Sequence, residues 1–74
     1  MKTQIEHKLN KLPDSITTED CVYYFNMHKH DGYWFIAYCD LEDNPLFIVE
    51  HTSLQAAVDN TLSTIKTLNG NGRN

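Results

Sequence analysis

His28-Lys29-His30 beside Asp31 is the one group of residues in this 74-residue chain whose types and spacing suit a metal ion. Residues two apart on a strand project from the same face, and imidazole is a common ligand. Zinc asks for three or four ligands, and the neighbours expected on that face, Tyr33 and Phe35, are poor ones, so His51 or a symmetry mate would have to complete the set. Against this stands a solvated hairpin tip whose histidines keep the turn polar. The reading adopted is that no metal or other cofactor is bound; a small-molecule or metal site using His28, His30 and His51 is the alternative function.

Cys21 or Cys39 with a histidine would be the pair for nucleophilic catalysis. A reactive thiol needs an accessible, electropositive setting, and both cysteines sit among strand aromatics, which favours packing. The acids Glu19, Asp20, Asp40, Glu42 and Asp43 are expected to gather at the hairpin end away from its turn. Two carboxylates there would allow acid-base chemistry, but a solvated acidic edge that a basic partner reads is the preferred reading. No glycine-rich phosphate loop exists, since Gly32 lies in a turn and Gly70 and Gly72 near the C-terminus. The chain is therefore expected not to be an enzyme.

The element that must position these residues is the stretch Cys21 to Asp40, two aromatic runs on either side of Asp31-Gly32. Asp-Gly suits the two central positions of a type I′ turn, which need φ > 0, and so predicts a β-hairpin. A two-residue loop sets His30 opposite Tyr33, Met27 opposite Ile36, Phe25 opposite Tyr38 and Tyr24 opposite Cys39. One face then carries Tyr23, Phe25, Met27, Trp34, Ile36 and Tyr38. The other carries Tyr24, Asn26, His28, His30, Tyr33, Phe35, Ala37 and Cys39. Cys21 and Cys39 fall on opposite faces, which predicts free thiols rather than a disulfide.

Around the hairpin, Ile5, Leu9 and Leu12 predict a short helix over Thr3 to Lys11, stopped by Pro13. Asp14 to Asp20 reads as a polar connector. Asn44-Pro45 marks a second turn, and Leu46 to His51 a third strand. Leu54, Ala57, Val58, Leu62, Ile65 and Leu68 recur at helical spacing and predict a helix over Thr52 to Asn69. Thr52 with Gln55 would form its capping box and Gly70 its left-handed C-terminal residue. The expected fold is α+β in the order α-β-β-β-α, a three-stranded antiparallel meander with both helices on its Phe25 and Trp34 face. Residues 1–69 make one domain and residues 70–74 a disordered tail.

The run Gly32-Tyr-Trp-Phe-Ile-Ala-Tyr-Cys-Asp-Leu41, a short strand, and Thr52-Ser-Leu-Gln-Ala-Ala-Val-Asp-Asn-Thr-Leu62 together resemble the N-terminal domain of HicB-like antitoxins. The likeness spans about Tyr23 to Leu68 and implies toxin masking. The turn differs from the family's usual Pro-Asp-Leu-Pro-Gly, the first helix is extra, and no DNA-binding segment follows. The α-β-β-β-α order also resembles double-stranded RNA-binding domains. The stretch that matches their basic helix start, Ser53 to Asp59, carries no basic residue.

A formal charge of −4 with no Lys/Arg cluster argues against phosphate-backbone binding, so no nucleic-acid partner is expected. A hydrophobic fraction of 41% is high enough for a folded core. No apolar run approaches the roughly 18 residues of a membrane helix, and no apolar signal core opens the sequence. These features predict a cytoplasmic protein without a membrane partner. At this size a single core is marginal, which favours a homodimer. The sequence thus predicts a small acidic protein-binding module that blocks another protein, in the manner of an antitoxin or a phage or mobile-element accessory protein. Tyr24, Tyr33, Trp34 and Phe35 are its expected contact anchors, because aromatics bring large contact area with few rotamers.

Overall fold

A computed structural model of the chain describes the backbone of residues 4–72 and the side chains of residues 7–68. Its elements are α1 (Gln4–Leu9), β1 (Ser15–Thr17), β2 (Val22–His30), β3 (Tyr33–Cys39), β4 (Pro45–His51) and α2 (Leu54–Gly72). The strands form a four-stranded antiparallel sheet in the order β1-β2-β3-β4, and the helices pack on one side of it. The fold is α+β. No described helix is long and apolar enough to cross a membrane.

The hairpin forms as its turn dictates. Asp31 at φ 55° and Gly32 at φ 79° both occupy the left-handed region that a type I′ turn demands. A Cβ at Gly32 would meet nothing within 4 Å, so glycine is required there by backbone conformation and not by space. The pairs His30–Tyr33, Met27–Ile36, Phe25–Tyr38 and Tyr24–Cys39 are those the two-residue loop predicts.

Three expectations need correction. First, the segment read as a polar connector contains a strand: Ser15, Ile16 and Thr17 pair with Tyr24, Tyr23 and Val22, so the meander has four strands and not three. The polar residues serve its turn. The Thr18 hydroxyl oxygen accepts the Asp20 and Cys21 N–H groups, each at 3.2 Å, and the Thr18 N–H donates to the Cys21 carbonyl at 2.9 Å. Second, the cap of α2 is Ser53, not Thr52. Its Oγ accepts the Ala56 N–H at 3.3 Å, which leaves Gln55 one position short of a capping box. Third, α2 runs through Gly70 to Gly72, past the predicted end at Asn69, so Gly70 is not a left-handed terminus. The remainder of the predicted tail, residues 73–74, and the predicted helix start at Thr3 lie outside the described residues. The first helix itself ends at Leu9. Lys11 and Leu12 follow it in tight turns onto the Lys8 and Leu9 carbonyls before Pro13.

The core lies between the helices and the Phe25 and Trp34 face, as expected. Leu12, Ile36, Ala57 and Val58 are buried, with Leu9, Phe25, Met27, Trp34, Val49, Leu54, Leu62 and Ile65 packed around them. Burying a side chain such as Ile36 or Val58 contributes about 1.5–3 kcal/mol. Thr61 is fully buried within the same helix stripe and stays satisfied because its hydroxyl donates to the Ala57 carbonyl at 2.7 Å. Tyr38, also fully buried, is wedged between Phe25 and Phe47 at centroid distances of 5.7 and 5.5 Å. Its hydroxyl donates to the Pro13 carbonyl at 2.8 Å and so ties the centre of the sheet to the end of the first helical segment. An ion pair between Lys8 Nζ and Asp59 Oδ1 at 2.9 Å joins α1 to α2.

Candidate functional site on the open sheet face

Side chains alternate along each strand, and the helices cover only one face. The other face stays open across β2, β3 and β4. The register lays it out in rows: His30 and Tyr33; then His28, Phe35 and Glu50; then Asn26, Ala37 and Ile48; then Tyr24 and Cys39, with Ser15 of β1. Tyr24 is 45% exposed, Tyr33 43% and Ile48 58%, all on this face. Single exposed apolar residues are ordinary; a set of them on one uncovered sheet face is not.

The surface is ordered by its own contacts. His28 stacks on Phe35 with ring centroids 5.0 Å apart and planes 12° from parallel, and Tyr33 leans on Phe35 at 6.5 Å. Aromatic rings held in this way present area whose rotamer entropy is already partly lost, which favours binding. Of the four predicted anchors, Tyr24, Tyr33 and Phe35 share this face; Tyr33 and Phe35 meet, whereas Tyr24 stands at the opposite end of the strands beside Cys39. Trp34 does not: it is half-buried on the opposite face against the core, with the Lys29 ammonium 5.2 Å from its ring centroid. Ile48, the most exposed apolar side chain of the face, escaped the sequence reading because no simple turn sets the register of β4. The connection from Asp40 to Asn44 carries a left-handed residue, Asp43 at φ 67°, and the ladder shifts register at Tyr38 and Cys39.

The three histidines considered as ligands do not converge. His28 and His30 sit on the open face of β2, whereas His51 pairs with Trp34 and so lies on the helix side. The His51 Nδ1 accepts the Ser53 N–H at 3.0 Å, a structural role at the entry to α2. His30 Nε2 lies 3.8 Å from Asp31 Oδ2 at the exposed turn. Among the described residues no three His, Cys, Asp or Glu side chains are placed to hold a metal ion.

The cysteines are both free. Burial, reinforced by the Asp43 and Asp40 carboxylates, pushes the Cys39 thiol up, so it is held protonated and away from the state a nucleophile needs. The acids gather at the hairpin end away from the turn, as the sequence predicts. A hydrogen bond with Cys21, then burial and the charges of Cys21, Asp40 and Asp20, raise the Tyr23 phenol. Backbone N–H groups hold the Asp40 carboxyl below the usual carboxylate range, that of Asn44 first, with Glu42 and the Asn44 side chain adding to it. The Oδ1 atom of Asp40 accepts from Glu42 at 2.8 Å and Asn44 at 2.9 Å. The Asp40 carboxylate organises its loop, and its hydrogen bonds are spent on the turn.

No protein-family model matches the chain, no curated protein matches it, and no solved structure matches its fold.

Proposed function

We propose that this protein is a non-catalytic interaction module that binds another protein through the open sheet face and blocks it. The observation that carries the reading is the uncovered face itself: Tyr24, Tyr33 and Ile48 stand exposed on it beside the stacked His28 and Phe35. Interface cores are enriched in aromatic side chains and poor in charge, and this face has Glu50 as its one acid. The acidic end formed by Asp20, Asp40, Glu42 and Asp43 borders it, which suits a partner whose contact surface has a basic rim. The resemblance to HicB-like antitoxin domains supports blocking as the consequence of binding.

The test is affinity capture from an extract of the source cells, using the wild type and a Tyr33→Glu/Phe35→Glu double variant whose fold is checked by circular dichroism. A protein retained by the wild type and lost with the folded variant is the expected result. Equal retention by both would move binding off this face.

A further inference from the structure

We infer that the outer edge of β4 is a self-association site, at which a second copy of this chain adds its own β4 antiparallel to form a continuous eight-stranded sheet. The bonding phase of the sheet can be read outward from one hydrogen bond. The Phe25 N–H donates to the Asp14 carbonyl at 3.0 Å, so Phe25 bonds away from β3. Phe25 stands opposite Tyr38, and bonded and non-bonded pairs alternate along an antiparallel ladder. Tyr38–Phe47, Ile36–Val49 and Trp34–His51 are therefore the bonded pairs of β3 and β4. Ile48 and Glu50 then direct their N–H and C=O groups away from the sheet. Among the described residues no turn, loop or cap hydrogen bond takes up these groups.

The two edges of the sheet differ in a way that fixes the occupant. Along β2, β1 covers Val22 to Tyr24, Asp14 takes the Phe25 N–H, and the open remainder carries Lys29, a charge that discourages strand addition. Along β4 the run Leu46-Phe-Ile-Val-Glu-His51 has no lysine or arginine, and Pro45 stands only at its start. The strand at the other edge, β1, has only three residues, so β4 is the one edge long enough for this pairing and the assembly closes at two copies, the isologous arrangement of a twofold dimer.

Charge and the use of both outward residues together select the register. A pairing with Glu50 opposite Glu50 sets like charges together. With Val49 on the twofold axis, Ile48 of each protomer pairs with Glu50 of its partner. Both outward residues of each chain are then used, in four reciprocal backbone hydrogen bonds, and the exposed Ile48 side chains gain neighbours. Because paired residues share a face, the two open faces lie on the same side of the joined sheet, where they remain available to another protein.

Sedimentation over a concentration series, with the wild type, Ile48→Pro and Tyr33→Glu/Phe35→Glu, tests this. Proline removes an outward N–H that the fold does not use, so Ile48→Pro is expected to fold. The two lost inter-chain bonds, at roughly tenfold each, weaken the dimer about 100-fold. The wild type is expected to be a dimer, and the Tyr33→Glu/Phe35→Glu variant to remain one even where it loses a foreign partner, so the edge and the face fail separately. A wild type that stays monomeric at its highest soluble concentration overturns the inference. So does a dimer unaffected by Ile48→Pro, or one abolished by the face variant. If Ile48→Pro does not fold, amide exchange in the wild type decides: slow, concentration-dependent exchange at Ile48 and Glu50 supports the edge, and exchange as fast as an open edge overturns it.

Discussion

Tyr38 concentrates several roles in one side chain. Its ring fills the core between Phe25 and Phe47 and its hydroxyl satisfies the Pro13 carbonyl, so Tyr38→Phe keeps the packing and loses one buried hydrogen bond. The expected cost is about 1–2 kcal/mol, read from the urea midpoint. Burial, with a smaller contribution from Asp14, pushes the phenol up to about 12 from an ordinary value of 10.0. Below the ordinary value both the folded and unfolded chains keep the proton, and this contribution to stability is fully present. Between there and about 12 the unfolded chain releases its proton first, so stability falls as pH rises, by up to about 1.4 kcal/mol per pH unit. Denaturation series across the alkaline range should show that fall in the wild type, and a shallower one in Tyr38→Phe. The turn glycine is as specific in another way: Gly32→Ala at φ 79° should cost about 1–2 kcal/mol although the site is sterically empty.

At the scale of elements, α2 is set by its entry. Ser53→Ala should lower stability by about 1 kcal/mol because it frees the Ala56 N–H, whereas Thr52→Ala should change the melting temperature little. The opposite ranking would restore the capping box that the sequence suggests. The ion pair between Lys8 and Asp59 is partly exposed, with side chains at 31% and 46%, and a surface pair of this kind contributes less than about 1 kcal/mol. Lys8→Met should therefore shift stability only slightly. What holds α1 in place is the burial of Leu9 and Leu12 against α2 and the sheet.

For the molecule as a whole, the two sheet faces should respond differently to the same kind of change. Ile36→Ala on the covered face opens a cavity beneath α2 and is expected to destabilise the protein by about 2–5 kcal/mol, much of what a domain of this size has. Removing Tyr33 or Phe35 from the open face should leave the melting temperature close to that of the wild type while abolishing partner binding. A melt of the three alanine variants side by side makes the comparison. Equal losses on both faces would mean that the open face is structural, and the binding surface would have to be sought elsewhere.

Much of this was legible in the sequence because a strand repeats every two residues and the Asp31-Gly32 turn starts the count. The hairpin register, the division of its side chains between faces, the choice of covered face and the placing of Tyr24, Tyr33 and Phe35 on one face all follow from that local chemistry. Tertiary structure decided what no local signal carries. Ser15 to Thr17 is too short to be a strand alone and becomes one only because β2 offers an edge. Tyr38 and Pro13 lie 25 residues apart and meet through packing. Trp34, which side-chain type alone made an anchor, went to the core side where its register had put it. Ile48 emerged on the open face, and β4 as the open edge, only once the bulged pairing with β3 was formed, since an irregular turn gives no count of its own.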